Sequence, residues 1–97
     1  MYTPTNRTFT DVENGIKFRL FVESDKHEFK LFNEAHDGYS QYSYEINGFY
    51  ICAHTDSTIR LNNGKEINLN TGQFYHLKEN ERVTQRKFAG MNRFYKL

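Results

Sequence analysis

The chain has 97 residues, with nine Phe, seven Tyr, no Trp and a single Cys, and its formal net charge at pH 7 is +1. This length predicts one globular domain over residues 1–97, and aromatic side chains bury enough area each to build its core from few residues. One cysteine excludes an internal disulfide and is typical of a reducing compartment. No apolar run approaches the roughly 18 residues of a transmembrane helix, and the first ten residues lack the apolar segment of a signal peptide. We therefore expect a cytoplasmic protein that does not enter the membrane.

The charge is unevenly distributed along the chain. Residues 1–77 carry seven Lys or Arg against ten Asp or Glu, whereas residues 78–97 carry six against two. This asymmetry predicts either a basic face for an anionic partner or an ordinary pair of solvated terminal strands.

Three Asn-Gly pairs divide the chain into predicted β-hairpins. Asn-Gly favours a type I′ turn because both residues tolerate positive φ, and alternating apolar residues flank each pair. In the second hairpin we expect Phe49, Ile51 and Ala53 on the core side of the strand. The predicted hairpins cover residues 7–22, 40–54 and 58–69.

The segment between the first two hairpins has two interpretations. A capping-box-like start permits a single helix at 25–37, which would make the fold α+β. The alternation of Phe29 and Leu31 with charged neighbours predicts instead a strand at 28–32. We favour the strand.

Turn signals continue after the third hairpin and recur about every 8–12 residues, a spacing typical of small sandwiches and barrels. They delimit further strands at 74–78, 82–88 and 93–97. The predicted fold is therefore mainly β: a small antiparallel barrel or sandwich built from the three hairpins and these C-terminal strands.

The stretch "YICAHTDST" contains the most chemically suggestive spacing. Cys52, His54 and Asp56 occupy alternate positions, so on a strand their side chains point to one face. A nucleophilic triad is conceivable, but the outer member would orient the histidine poorly and no helix N-terminus follows to lower the pKa of the thiol. The simpler interpretation is a buried cysteine, a strand-end histidine, and an aspartate that turns the chain by bonding its own backbone. We predict no catalytic residue, and a small hydrolase is our third choice of function.

A metal or cofactor site is not predicted either. Cys52 and His54 could supply two ligands, whereas structural zinc requires four. The remaining donors, His27, His36 and His76, belong to no paired ligand motif, and no glycine-rich phosphate motif is present. We expect no metal and no cofactor.

The surplus of aromatic residues and the two charged faces point to a non-catalytic module that binds a partner protein, because Tyr and Arg dominate interface hot spots. A composition rich in Asn, Lys, Tyr and Phe but poor in Ala and Pro is typical of AT-rich accessory genes of phages and mobile elements. This suggests an inhibitor of a host factor, and a homo-oligomer is compatible with it. The candidate partner-binding residues are Tyr39, Tyr42, Tyr50, His54 and Arg86.

The alternative is a small β domain that binds single-stranded nucleic acid or a nucleotide through a basic C-terminal face. Such proteins stack bases on aromatic side chains along a cationic groove. The candidate anion-binding residues are Arg82, Arg86, Lys87, Arg93 and Lys96.

Overall fold

Nine β-strands form two sheets in the part of the chain that the structure describes. The computed structural model describes residues 2–23, 25–26, 28–33, 48–90 and 93–97. None of these residues is helical, and so none of them forms a helix able to cross a bilayer. The prediction of a mainly β fold is confirmed. The strands are β1 (Thr3–Asp11), β2 (Lys17–Glu23), β3 (Glu28–Asn33), β4 (Tyr50–Cys52), β5 (Ser57–Leu61), β6 (Glu66–Leu69), β7 (Gln73–His76), β8 (Val83–Phe88) and β9 (Arg93–Lys96).

The segment with two interpretations is a strand where the structure describes it. β3 pairs antiparallel with β2 in unbroken register, from Glu28 opposite Glu23 to Asn33 opposite Phe18. The expected strand at 28–32 is confirmed. The helix at 25–37 is wrong, because the backbone N–H and C=O groups of this strand pair with β2 and are not available for the hydrogen bonds of a helix.

Sheet A has the strand order β3-β2-β1-β7-β4, and sheet B has the order β6-β5-β8-β9. All pairs are antiparallel, as expected, except that β7 runs parallel to β1, with Thr10 opposite Gln73. β7 thus lies inside sheet A, between two strands that are distant from it in sequence. Among the described strands, hydrogen bonding closes neither sheet into a barrel.

The first and third Asn-Gly pairs lie between antiparallel neighbours, but their turns differ from the expected type. β1 pairs with β2 around Asn14-Gly15, and β5 pairs with β6 around Asn63-Gly64. Only the glycines have positive φ, 75° for Gly15 and 86° for Gly64, whereas a type I′ turn requires it at both central residues. Each asparagine instead accepts, at its side-chain oxygen, the N–H of the residue two positions later, at 2.9 Å. The asparagines therefore act as Asx turns and the glycines supply the left-handed backbone.

The hairpin predicted at 40–54 lies partly outside the described residues, which resume at Gly48. Its second strand, β4, pairs with β7. Ala53 is fully buried and Ile51 packs in the core, as predicted, but Phe49 is 82% exposed. The expectation for Phe49 is wrong because β4 begins only at Tyr50, so the strand alternation does not extend to it.

Two clusters of buried side chains form most of the core. The inter-sheet cluster joins both sheets, whereas the sheet A cluster lies within sheet A alone. Phe74 and Tyr75 are consecutive in β7 and belong to different clusters, because neighbouring strand residues point to opposite faces. Tyr50 and Cys52 pack against the sheet A cluster, so β4 is packed on both faces. The inter-sheet cluster contains Ala53, Ile59, Leu61, Ile67, Leu69, Tyr75 and Val83; the sheet A cluster contains Phe9, Phe18, Leu20, Leu31 and Phe74.

Sheet A curls strongly around the sheet A cluster. In a flat sheet of five strands the two edges would lie about 19 Å apart, at about 4.8 Å per spacing. Here the hydroxyl of Tyr50, on the edge strand β4, reaches the carbonyl oxygen of Phe29 on the opposite edge strand β3. A bulge in β1 between Pro4 and Thr8 adds to the bend, since bulges increase local twist.

Candidate functional site

The curl of sheet A leaves a cleft between its concave face and strand β8. Its volume is about 350 Å³, and the residues that line it come from four strands and from the turn after β4. Three of the five predicted partner-binding residues meet here: Tyr50, His54 and Arg86. Tyr39 and Tyr42 lie outside the described residues. The complete lining is Leu20, Phe29, Tyr50, Ile51, Cys52, His54 and Arg86.

Arg86 supplies the main charge of the cleft. Its Nη2 donates a hydrogen bond to the carbonyl oxygen of Cys52 at 2.8 Å, and its guanidinium carbon lies 5.0 Å from the ring centroid of Phe88. Its Nε is buried and has no hydrogen-bond partner in the described part of the chain. Burial lowers the pKa of Arg86, but an arginine remains charged at any physiological pH. The guanidinium therefore keeps hydrogen-bonding capacity that the described residues do not use.

His54 stands between two arginines. Arg7 Nη1 donates a hydrogen bond to His54 Nδ1, which places the proton of the neutral imidazole on Nε2. The imidazole also meets the ring of Phe9 edge to face, with 5.3 Å between centroids. Burial lowers the pKa of His54, and the charges of Arg7 and Arg86 lower it further. His54 is therefore neutral at pH 7, and no carboxylate of the described residues pairs with Arg7 or Arg86.

The alternate spacing of Cys52, His54 and Asp56 does not assemble a triad. Burial raises the pKa of the Cys52 thiol to about 12, although Arg86 opposes this shift, so the thiol is protonated at neutral pH. Asp56 Oδ1 accepts hydrogen bonds from the backbone N–H (2.6 Å) and the hydroxyl (2.9 Å) of Thr71. These two bonds lower the pKa of Asp56. Our expectation that Asp56 would bond its own segment is wrong, because its carboxylate anchors the turn before β7 instead.

Within the described ranges, no three His, Cys, Asp or Glu side chains are grouped so that they could hold a metal ion. His76, one of the donors considered above, lies on β7 opposite Tyr50. His27 and His36 are outside those ranges.

The five predicted anion-binding residues do not share one face. Arg86 points into the cleft, whereas Lys87, the next residue of β8, points to the outer side of sheet B because successive strand residues alternate. The pairing of β8 with β9 places Lys96 on the same outer side as Lys87. Arg82 precedes β8 and is exposed, and Arg93 begins β9.

The sequence did not identify Arg7 and Phe29 as candidate residues of this site. Arg7 lies in the β1 bulge and is 47 positions from His54, so no local pattern links them. Phe29 is 57% exposed at the cleft, whereas the sequence pattern identified it only as a residue of a strand. Phe29 could have been identified as a site residue only from its position on an edge strand. Strand order cannot be predicted from local sequence, so this information was missing.

Comparison of the chain with protein-family models, with curated proteins and with solved structures found no match.

Proposed function

We propose that this protein is a non-catalytic module that binds a partner protein through the cleft. The observation that carries this proposal is the convergence of Tyr50, His54 and Arg86 with the exposed ring of Phe29 on one concave surface. Tyr and Arg are over-represented among the residues that contribute most binding energy, and these anchors typically lie in desolvated pockets. An inhibitor of a host factor, encoded by a phage or mobile element, belongs to the same proposal and is supported by composition alone.

The electrostatics of the cleft also support binding rather than catalysis. A nucleophile or general base needs a pKa suited to its task, and the Cys52 thiol, with its pKa raised to about 12, is unsuited to attack. His54 accepts a hydrogen bond from Arg7 at Nδ1, the nitrogen at which the carboxylate of a catalytic triad would orient the imidazole as a base.

Capture experiments with matched variants test the proposal. Tagged wild-type protein and the variants Tyr50→Ala, Arg86→Gln and Lys87→Gln are incubated with nuclease-treated lysate, and retained proteins are quantified by mass spectrometry. We expect a partner that the wild type and Lys87→Gln retain and that both cleft variants lose. The interaction is then titrated with purified proteins. A partner retained equally by all four proteins would contradict the use of the cleft.

A second candidate function, binding of single-stranded nucleic acid or a nucleotide, is supported by the outer face of sheet B. Phe94 is 65% exposed there, and Lys87 Nζ lies 5.3 Å from its ring centroid. Such a pair of aromatic ring and cation is typical of base-stacking surfaces. The same face also carries Glu66, paired with Arg60, which would repel phosphate.

Salt titration separates the two functions. A labelled oligonucleotide bound by the outer face should dissociate as salt rises. The double variant Lys87→Gln with Lys96→Gln should lose it, and Arg86→Gln should keep it. If neither the wild type nor any of these variants binds the oligonucleotide, nucleic-acid binding is not the function.

We also propose that residues 1–97 form one domain, an open sandwich in which sheet A curls, rather than a barrel. The inter-sheet cluster, which takes residues from both sheets, supports this description. A cytoplasmic location is likewise our proposal and is supported by the single cysteine.

A further inference from the structure

We propose that the cleft recognises a short segment of the partner protein in which an acidic side chain adjoins a large apolar one. The carboxylate binds at Arg86, and the apolar side chain lies against Leu20, Phe29 and the ring of Tyr50. This inference rests on the proposed function, since it specifies the chemistry of the partner that the cleft binds.

The positive charge of the cleft favours binding of an anion. Among the described residues the guanidinium of Arg86 contacts only the carbonyl of Cys52 and the ring of Phe88, and its Nε has no partner. Arg7, nearby, donates its hydrogen bond to the neutral His54. A half-buried guanidinium with unused donors is unfavourable by itself. Because Nε is buried and Nη2 already bonds Cys52, a carboxylate would accept its hydrogen bonds at the outer Nη edge of Arg86. Binding of one carboxylate would therefore offset the charge of Arg86.

The remaining surface of the cleft is apolar and favours binding of an apolar group next to that anion. Leu20, Phe29 and Ile51 line the cleft together with the ring of Tyr50. Phe29 is more than half exposed, so a side chain placed against it would remove apolar area from water. An acidic residue alone would leave this surface uncovered.

The size of the cleft and the placement of the lysines favour a protein segment over a nucleic acid. A volume of about 350 Å³ is at the lower end of the roughly 300–1,000 Å³ typical of ligand pockets. It admits one or two side chains. A polynucleotide needs a row of cations along its backbone, whereas Lys87 and Lys96 lie on the other side of sheet B. The positive charge of the cleft is therefore one patch, suited to one carboxylate.

Selection from a displayed library of random peptides tests the chemistry. Wild-type protein, Arg86→Gln and the control Lys87→Gln are immobilised separately, and the peptides that each retains are sequenced. We expect Asp or Glu beside an aromatic or large aliphatic residue in the peptides selected by the wild type and by Lys87→Gln, and loss of this motif with Arg86→Gln. Selected peptides without an acidic preference, or an unchanged motif with Arg86→Gln, would overturn the inference, as would failure of the wild type to enrich any peptide.

The enriched peptide and its acid-to-amide counterpart are then titrated by fluorescence anisotropy. We expect the amide peptide to bind at least about tenfold more weakly, the loss expected for one charge-assisted hydrogen-bonding pair. Equal affinity of the two peptides would overturn the inference. If the amide peptide binds equally well but Tyr50→Ala abolishes binding, the proposed function survives and only the recognition of a carboxylate fails.

The pH dependence of peptide binding supplies a readout that simple loss of packing would not produce. The groups that face His54 are Arg7 on β1, Arg86 on β8 and the ring of Phe9. A carboxylate bound at Arg86 should raise the pKa of His54, so protons are taken up on binding and affinity should increase as the pH falls through the ordinary histidine value of about 6.5. This increase should vanish in His54→Gln; a pH profile that His54→Gln leaves unchanged would contradict the placement of the carboxylate.

Discussion

The hydroxyl of Tyr50 donates a hydrogen bond of 3.1 Å to the carbonyl oxygen of Phe29, and thereby joins the two edge strands of sheet A. This bond spans the concave face on which the sheet A cluster lies, and Tyr50 also meets the ring of Phe74 in that cluster edge to face. Both bonded residues line the cleft. The contact that closes the curl of the sheet therefore also forms one wall of the candidate site.

Replacement of Tyr50 by Phe should measure the contribution of this bond. The variant keeps the ring against Phe74 and loses only the hydroxyl, so we expect the free energy of unfolding to fall by about 1 kcal/mol. Denaturant titration provides the measurement. The matched control is Tyr95→Phe on β9; Tyr95 is 40% exposed, so the variant should leave stability unchanged. Equal stability of Tyr50→Phe and the wild type would show that the curl does not depend on this bond.

Arg86 should be dispensable for folding even though it is central to the proposed site. Its burial removes water from a charge that no described carboxylate offsets, and replacing a buried charged group with an apolar one of similar length is often neutral or stabilising. We therefore expect Arg86→Met to be at least as stable as the wild type in thermal unfolding. The carbonyl of Cys52 loses one donor in this variant. If the free energy of unfolding falls by more than about 1 kcal/mol, the role of Arg86 is to stabilise the fold through this hydrogen bond rather than to bind a partner.

Cys52 should react slowly with thiol reagents while the protein is folded. Burial raises the pKa of its thiol to about 12, so very little thiolate exists near pH 8. Since the thiolate is the reacting species, we expect alkylation by iodoacetamide to be at least about a hundredfold slower than in guanidinium chloride. Mass spectrometry of quenched samples gives both rates. Comparable rates would indicate that β4 opens readily or that the thiol is not buried.

The lowered pKa of His54 predicts how stability depends on pH. The folded protein binds a proton at this site less readily than the unfolded chain, whose histidines titrate near the ordinary value of 6.5. The contribution of His54 to the free energy of unfolding is thus fully present above pH 6.5. It declines as the pH falls below 6.5 toward the lower pKa of His54 in the folded state. Thermal unfolding of the wild type and of His54→Gln isolates the contribution. We expect the curve of the variant to be flatter in this range, and parallel curves would contradict the assignment.

Local chemistry in the sequence accounts for much of the framework. The alternation of Phe29 and Leu31 with polar residues is enough to identify β3, and two Asn-Gly pairs mark turns between antiparallel strands. These features follow from interactions within a few residues, namely side-chain alternation and the conformational freedom of glycine. The type of turn was predicted wrongly, because Asn14 uses its side chain rather than positive φ.

The candidate site was predicted only in part. Alternation along the strand placed Tyr50 and His54 on one face, whereas Arg86 was selected for its residue type, without any basis for placing it beside them. Arg7 was not selected, since its contact with His54 depends on a bulge in β1 and on the pairing of distant strands.

The sequence by itself determined the strand framework and the kinds of side chain available for binding, because both depend on neighbouring residues. Tertiary structure alone decided that β7 lies between β1 and β4, that sheet A curls until Tyr50 reaches Phe29, and that Arg86 faces the cleft while Lys87 faces outward. Strand order and curl arise from long-range pairing and packing, in which apolar burial must offset the entropy of closing long loops. The cleft is a product of that packing, and so its members come from strands far apart in the chain.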